Sequence, residues 1–262
     1  MYKFNEGELI QQIQKYIDGT YDQHYASGKI QSTEFIIDAG HGEGFAIGNI
    51  IKYAQRYGKK NGYNRNDLMK VIHYAIIALS IHVIFTYSLI LKIFTNLSLL
   101  TFYKKMKDVA IFAFSTSSSA ATIPVTLKTV QDDLGVNKNV SSFVIPVGAT
   151  INMDGTAIMQ GMATVFIAQM SGIDLTLFQY IQVVILAVVT SIGTAAVPSA
   201  GTITLVIILQ QFGLPLEAIG IILAVDRILD MLRTSVNVTG DAAVACIVAH
   251  SEGLIDKNLF NK

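Results

Sequence analysis

Apolar residues are distributed unevenly along the chain, and their pattern changes near residue 80. Before that point they recur at helical spacing among polar residues, as they do from Ile10 to Ile17, which is typical of short amphipathic helices. Beyond it, long apolar runs follow one another. A membrane-spanning helix needs about 20 apolar residues. The pattern therefore predicts a small soluble helical module over residues 1–80 and a membrane-embedded region over 82–253, which begins with the end of a membrane helix at 82–100.

The longest apolar run, 140–173, is interrupted by the polar sequence Asn-Met-Asp-Gly-Thr at 152–156, and Asp154 is its only charged residue. Within a bilayer, broken backbone is tolerated only where it is buried in protein or lines a wet cavity. A carboxylate at membrane depth is costly and indicates a functional site. We predict a broken membrane helix here, and a kinked core helix of a soluble protein is the alternative.

The interrupted segment occurs twice in the chain. Residues 150–157 and 235–242 share Asn, Gly and Ala in register, and each copy has one Asp and one Thr beside its Gly. A Ser/Thr-rich apolar element containing a proline precedes each copy, at 115–124 and at 191–201. Paired interrupted segments in two halves of a chain indicate inverted repeats with a transport site at their interface.

The Ser/Thr-rich elements are predicted as re-entrant hairpins, at 109–127 and 175–211. A last membrane helix follows at 217–250, and residues 254–262 form a cytoplasmic tail. The basic segment 104–107 is predicted as a cytoplasmic loop, because basic loops stay inside. The predicted fold class is all-α: a multi-pass protein of the cell membrane, with two inverted repeats of a re-entrant hairpin and a broken membrane helix, preceded by the soluble module.

The last helix carries a stripe of polar residues. They are spaced i, i+4, i+7, i+11 and i+15, which places them on one helical face. The stripe consists of Asp226, Asp230, Arg233, Asn237 and Asp241. Because the flanking residues are Leu, Ile, Val and Ala, we predict that the stripe faces a cavity or a partner. A solvated charged face of a surface helix is the alternative.

Charge is balanced overall, with 19 Lys and Arg against 19 Asp and Glu, so net charge indicates no particular partner, and no nucleic acid is expected. Residues 1–80 hold 17 of these charges, whereas residues 175–216 hold none. An ordinary soluble domain is about a quarter charged, so the distribution supports a membrane-embedded C-terminal two-thirds. The single cysteine, Cys246, excludes an intrachain disulfide.

The first 80 residues contain the sequence Gly-Phe-Ala-Ile-Gly-Asn-Ile-Ile-Lys-Tyr at 44–53, Gly-Lys-Lys at 58–60, Asp-Leu at 67–68 and His-Tyr at 73–74. In these positions the module resembles a family of small phage-encoded proteins, one member of which is described as a nucleotide kinase. The glycine-rich segment 40–44 lacks the Gly-Lys-Ser/Thr of a phosphate-binding loop, and we predict a turn before a helix there.

From His82 to Gly253 the chain resembles the glutamate/aspartate transporter family, the dicarboxylate/amino acid:cation symporters. The resemblance runs through both hairpins, the Asn-Met-Asp-Gly-Thr sequence and the charged stretch 226–241. It implies a substrate site between the hairpin tips and the last helix, a homotrimer surrounded by membrane lipid, and symport of an acidic amino acid or dicarboxylate with sodium or protons. It implies no enzyme activity and no cofactor apart from these coupling ions.

The resemblance also implies roles for individual residues. Asp230 would bind the substrate ammonium, and Arg233 would bind its side-chain carboxylate, for which a guanidinium is suited. The other implied substrate-binding residues are Ser118, Ser119, Thr156, Val197, Pro198, Gly201, Thr234 and Asn237. A first sodium would lie among Gly148, Asn152, Asn237 and Asp241. A second would lie near Thr150, Met153, Ser191, Ile192 and Thr194. Asp154 would serve a third.

Family members have about eight membrane segments, and the first five or so have no counterpart in this chain. The trimer scaffold and the third ion site are therefore expected to be incomplete. The leading hypothesis is symport of acidic amino acids or dicarboxylates by a chain that is incomplete as it stands. The second is a soluble phage-type module, nucleotide-related or binding, fused to a non-transporting membrane remnant. An inactive fragment that inserts without transporting is the third.

Overall fold

The structure, a computed structural model, describes residues 6–24, 41–56 and 65–262. These residues form helices joined by short connections, as the all-α prediction requires. The helices are α1 (Glu6–His24), α2 (Gly42–Arg56), α3 (Arg65–Ile81), α4 (Ser88–Thr95), α5 (Leu99–Thr116), α6 (Ser119–Asp132), α7 (Lys138–Ile151), α8 (Asp154–Met170), α9 (Leu177–Ile192), α10 (Ala200–Gln211), α11 (Ile219–Ser251) and α12 (Lys257–Asn261). A π-helical turn, His82–Tyr87, joins α3 to α4, and a 3₁₀ turn, Leu216–Ala218, leads into α11.

Helices α3 and α4 form one unbroken rod with the π turn between them. Within the described residues this rod, over Asn66–Thr95, is the one helix both long and apolar enough to cross a membrane, and α9 and α10 are shorter apolar helices. The rod contains no Gly or Pro that would stop a helix. It ends at Asn96, whose φ of 55° is tolerated by asparagine better than by most residues.

The described helices of the first 80 residues share a hydrophobic core with the rest of the protein. Ala46 of α2 is buried in the same cluster as Phe166 of α8 and Leu229 of α11. The rod also passes through the predicted domain boundary at 80–82 without interruption. The domain boundary at 80–82 therefore stays a prediction from the sequence pattern. Residues 1–5, 25–40 and 57–64 of the predicted module, which include Gly40 and 58–60, lie outside the described residues.

The two predicted hairpins are helical pairs. Hairpin 1 consists of α5 and α6 and turns at Ser117, and hairpin 2 consists of α9 and α10 and turns just before Ser199. Both serines have positive φ, 51° and 60°, a backbone conformation that favours glycine. The helices of hairpin 1 cover 99–132, around the predicted 109–127, and those of hairpin 2 cover 177–211, within the predicted 175–211. The re-entrant limits of both hairpins stay predictions.

The basic segment 104–107 lies inside α5 and not in a loop, which corrects the sequence prediction. Phe102 and Met106 are buried, so this stretch is an amphipathic helix with Lys104 and Lys107 on its outer face. Lys105 has a different role: its ammonium donates to three backbone carbonyls, those of Asp133 (2.8 Å), Leu259 (2.9 Å) and Phe260 (2.8 Å).

The apolar run 140–173 forms two helices, α7 and α8, separated by Asn152 and Met153. The backbone N–H of Asn152 donates to the carbonyl of Gly148 at 2.8 Å, which closes the last turn of α7. Asp154 then lies in the first turn of α8, where the helix dipole favours a negative charge. The helix is therefore broken where the polar sequence interrupts the apolar run.

Helix α11, 33 residues long, organises the packing. Its N-terminal half, including Ile222, packs against hairpin 2 and α8. Its C-terminal half, including Ala245 and Ala249, packs against hairpin 1 and α7, and these small side chains let the helices approach closely. The polar stripe lies between the two cores, and all five of its residues are at most 3% exposed. The predicted interior position of the stripe is thus confirmed.

Residues 254–262, predicted as a tail, fold back onto the base of hairpin 1. The N–H of Asp256 donates to the carbonyl of Gly135 at 2.7 Å. Phe260 is fully buried in the cluster that contains Phe102. Together with the three carbonyl contacts of Lys105, these interactions make the segment part of the packed structure.

We expect Phe260→Ala to lower the free energy of unfolding by about 3–5 kcal/mol, because it opens a cavity in a well-packed core. Cys246 is buried in the same cluster and is the only cysteine, so its reaction with a thiol-specific dye in the folded full chain reports on the opening of this core. Labelling should be faster in Phe260→Ala and unchanged in Leu254→Ala, whose side chain is exposed. Equal labelling rates in Phe260→Ala and the parent would show that Phe260 does not stabilise the core around Cys246.

Candidate functional site

The two copies of the repeated segment cross each other at their glycines. A Cβ added to Gly155 would lie 2.9 Å from the carbonyl oxygen of Arg233, and one added to Gly240 would lie 2.6 Å from Nδ2 of Asn152. The N–H of Gly155 also donates to Oδ1 of Asn237 at 2.8 Å. Both positions therefore need glycine, because Arg233 occupies the space of a side chain at Gly155, and Tyr87 and Asn152 occupy it at Gly240.

A small cavity lies beside this crossing. It is lined by residues of both hairpin tips, the break between α7 and α8, and α11: Ser117, Ser119, Met153, Thr156, Thr194, Ala195, Ala196, Val197, Gly201, Asp230, Arg233, Thr234 and Asn237. Its volume of about 10 Å³ is close to the minimum that one water molecule needs. An amino acid therefore cannot enter unless part of the wall moves.

The tips of the two hairpins close the cavity by contacting each other. Oγ of Ser118 donates to the carbonyl of Ala196 at 2.8 Å, and the N–H of Ala120 donates to the same oxygen at 3.2 Å. Helices α6 and α10 both begin at these tips. Helix N-termini attract anions, so the two tips together form a surface suited to a carboxylate.

A buried arginine and a buried aspartate, one turn apart on α11, form an ion pair in the wall of the cavity. Nε and Nη2 of Arg233 donate to Oδ1 of Asp230 at 2.8 and 2.7 Å. The other oxygen of Asp230 accepts from the N–H of Ser199 at 2.8 Å. Nη1 of Arg233 is 3.8 Å from Oδ1 of Asp226, and a Cβ on Gly201 would lie 2.6 Å from Nη1. The guanidinium charge is thus balanced by the protein itself.

Most of the substrate-binding residues that the resemblance implied lie in the wall of this cavity. Those are Ser119, Thr156, Val197, Gly201, Asp230, Arg233, Thr234 and Asn237. Ser118 and Pro198 are not in the wall: the first ties the tips together, as described above, and the second is exposed on hairpin 2. The structure therefore brings these residues together, and the role of each stays a proposal.

The residues of the first implied sodium site also converge. Nδ2 of Asn152 donates to Oδ1 of Asp241 at 3.0 Å and to the carbonyl of Asn237 at 3.4 Å. A Cβ on Gly148 would lie 2.6 Å from Oδ1 of Asp241, so glycine leaves room for the carboxylate. Carboxylate, carbonyl and amide oxygens suit a hard cation. The donor set fits sodium once the Asn152 amide turns its oxygen inward.

The residues of the second implied site are less concentrated. Met153 and Thr194 line the cavity. Thr150 is exposed and donates to the carbonyl of Val147, Ser191 donates to that of Val188, and Ile192 is largely exposed. Asp154, implied for a third site, is not in the cavity wall; its carboxylate contacts His82 and Tyr87 instead.

Sequence reasoning missed Gln160, a fully buried residue of α8 that bridges both arms of hairpin 2. Its Nε2 donates to the carbonyl of Gly201 (3.0 Å) and to Oγ1 of Thr204 (2.7 Å), and its Oε1 accepts from Oγ1 of Thr190 (2.9 Å). The signal was available, since Gln160 is one of few polar residues in an apolar helix. Asp226 was placed in the stripe but not in the site, and it contacts both Arg233 and Thr202.

Comparisons with known proteins agree with this geometry. The model of the sodium:dicarboxylate symporter family matches residues 54–251. A second family, described as a protein of unknown function, matches residues 20–76, within the segment that the sequence sets apart. Its description names no activity.

Similar curated proteins are named as transporters, as the sequence predicted, and not as enzymes. An excitatory amino acid transporter of Caenorhabditis elegans is 44% identical over 66% of this chain and 34% of its own length. Excitatory amino acid transporter 2 of Mus musculus is 46% identical over 67% of this chain and 31% of its own. Excitatory amino acid transporter 1 of Homo sapiens is 45% identical, with shares of 67% and 32%. The chain thus spans about a third of the length of these relatives.

The family model covers most of the chain, including both hairpins, the broken helix and the polar stripe, of which Asp230, Arg233 and Asn237 line the cavity. The chain belongs to the sodium:dicarboxylate symporter family.

Proposed function

We propose that the chain forms the substrate- and ion-binding part of a membrane symporter for acidic amino acids or dicarboxylates. The observation that carries this proposal is the buried Arg233–Asp230 pair in the wall of a cavity closed by two hairpin tips. A buried pair of opposite charges matches the ammonium and the carboxylate of an acidic amino acid. The names of the relatives, excitatory amino acid transporters, support the same substrate class.

In this proposal, substrate replaces the internal pair. Arg233 turns from Asp230 to the substrate's side-chain carboxylate, and Asp230 accepts from the substrate ammonium. Thr156, Thr234 and Asn237 hydrogen-bond the substrate, and the helix N-termini at both tips receive its main-chain carboxylate. Because the cavity holds about one water molecule, the contacts of Ser118 with Ala196 must break when substrate enters.

The coupling ion is proposed to bind beside the repeat crossing. Asp241 supplies the negative charge, and Gly148, Asn152 and Asn237 supply neutral oxygens. Sodium is the ion that the family description names, and protons are the alternative. Since Asn237 contacts both Gly155 and Thr156, the ion and the substrate share the same segment of backbone. Binding of one would therefore order the ligands of the other.

The proposal is tested by binding of radiolabelled aspartate to the purified full chain in lipid nanodiscs, with and without sodium. We expect saturable, sodium-dependent binding that is displaced by glutamate or a dicarboxylate and not by leucine. If aspartate, glutamate and the dicarboxylate all fail to bind, the proposal is contradicted. The match over residues 20–76 adds no activity to it, because that family is described without one.

We also expect binding without net uptake. A transport domain carries substrate by moving against a fixed scaffold, and the chain corresponds to about a third of its relatives. In proteoliposomes, the chain alone should show sodium-dependent binding but no accumulation of aspartate. Co-reconstitution with a polypeptide that carries the N-terminal membrane segments of a relative should restore uptake in a homotrimeric assembly. Robust uptake by the chain alone would contradict this expectation.

A further inference from the structure

The π turn His82–Tyr87 brings two side chains to one side of the rod. In an α-helix, residues five apart point in directions about 140° apart. In a π-helix the hydrogen bonds run between residues five apart, so these residues lie one above the other. His82 and Tyr87 are five apart, and their rings contact each other with centroids 5.0 Å apart. Single π turns are rare in proteins, and those that do occur often lie at functional sites.

Both side chains converge on a single atom of the first repeated segment. Nε2 of His82 lies 3.2 Å from Oδ2 of Asp154, and the hydroxyl of Tyr87 donates to the same oxygen at 3.1 Å. Tyr87 is buried, with 4% of its surface exposed. The carboxylate that opens α8 is therefore held toward the rod.

The same hydroxyl contacts the second repeated segment. A Cβ on Gly240 would overlap the hydroxyl oxygen of Tyr87, and would also lie 2.6 Å from Nδ2 of Asn152. That amide nitrogen in turn donates to Asp241. Tyr87 thus lies where Asp154, Gly240 and Asn152 meet, one contact away from the proposed ion ligand.

We propose that Tyr87 is a positioning residue, which the π turn aims at Asp154 so that the break at Asn152 is held in the orientation that serves the ion site. Tyr87 does not line the substrate cavity. It acts by fixing the first residue of α8 and the glycine of the facing repeat. The sodium part of this inference rests on the proposed function, whereas the positioning of the break does not.

The test compares Tyr87→Phe with Tyr180→Phe in the full chain in nanodiscs. The first variant keeps the ring and removes the donor to Asp154. The second removes a hydroxyl that accepts from Nε2 of Gln169, at the opposite end of α8 from Asp154. Two properties are measured: hydrogen exchange of the backbone amides of 150–157, and the sodium concentration at half-maximal aspartate binding.

We expect Tyr87→Phe to speed exchange in 150–157 about tenfold and to raise the sodium midpoint about tenfold, the effect of losing one hydrogen bond to a charged group. Tyr180→Phe should change neither. Unchanged exchange in Tyr87→Phe, or equal acceleration in both variants, would overturn the inference. If the parent protein binds no aspartate but exchange is faster in Tyr87→Phe and not in the control, the positioning role is supported and the proposed function is refuted. Unchanged labelling of Cys246 verifies that the variants fold.

Discussion

Replacing Arg233 with cysteine is expected to weaken binding of aspartate and glutamate at least about a hundredfold. The guanidinium is 3% exposed and donates twice to Asp230, with Asp226 on its other side. Removing one partner of a buried charged pair costs about 3–5 kcal/mol, because the remaining charge is left uncompensated. In the variant, two buried carboxylates remain with no cation between them, so a second carboxylate on the substrate is rejected.

The same argument predicts a change in specificity. Asp230 would still accept from a substrate ammonium, and cysteine leaves space where the guanidinium was, so small neutral amino acids should bind better to Arg233→Cys than to the parent. The measurement is the affinity of each protein, in nanodiscs, for aspartate and for serine, determined by competition between the labelled amino acids. Arg227→Cys is the matched control, since Arg227 neighbours the stripe and does not line the cavity. Parent-like aspartate affinity in Arg233→Cys would rule out its assigned role.

Asp241→Asn should shift the sodium dependence of aspartate binding to about a hundredfold higher concentration. Asp241 is 2% exposed, and its shape is nearly preserved in asparagine while its charge is lost. A desolvated cation without a compensating anion is costly, so the ion site loses most of its affinity. In the parent protein, Nδ2 of Asn152 donates to the Asp241 carboxylate, so the new amide must also rearrange against this group.

The experiment is a sodium titration of aspartate binding in the parent, in Asp241→Asn and in Asp174→Asn. Asp174 is exposed in the connection between α8 and α9 and serves as the charge-matched control. If the Asp241→Asn titration coincides with that of the parent, Asp241 is not an ion ligand. A shift in Asp241→Asn alone supports the assignment.

Much of the site was predictable because its residues obey simple periodicities. The stripe on α11 follows helical spacing, and the two repeated segments share Asn, Gly and Ala in register, so their convergence is what a pair of inverted repeats predicts. The glycines of both copies were visible as a pattern. Why they are glycines was not, because the crowding atoms come from distant parts of the chain: Arg233 at Gly155, and Tyr87 and Asn152 at Gly240.

Other features escaped sequence reasoning for identifiable reasons. The π turn pairs His82 with Tyr87 at a spacing that an α-helical pattern assigns to different faces. Lys105 looked like part of a basic loop, since nothing local indicates that three carbonyls from distant segments surround its ammonium. The helices of hairpin 1 extend beyond the apolar run 109–127 because their outer parts are amphipathic, and an apolar run marks only the part of a helix that is apolar all round.

The charged stripe of α11 has a consequence for how the protein is made. Between Asp226 and Asp241 the helix carries five charged residues. Each costs about 2.5–3.5 kcal/mol when an isolated helix is inserted by the translocon with that residue at its centre. In the proposed membrane-embedded form, α11 is therefore expected to insert poorly by itself. We expect it to insert only after the hairpins and α8, which are synthesised earlier and pack against this helix in the folded protein.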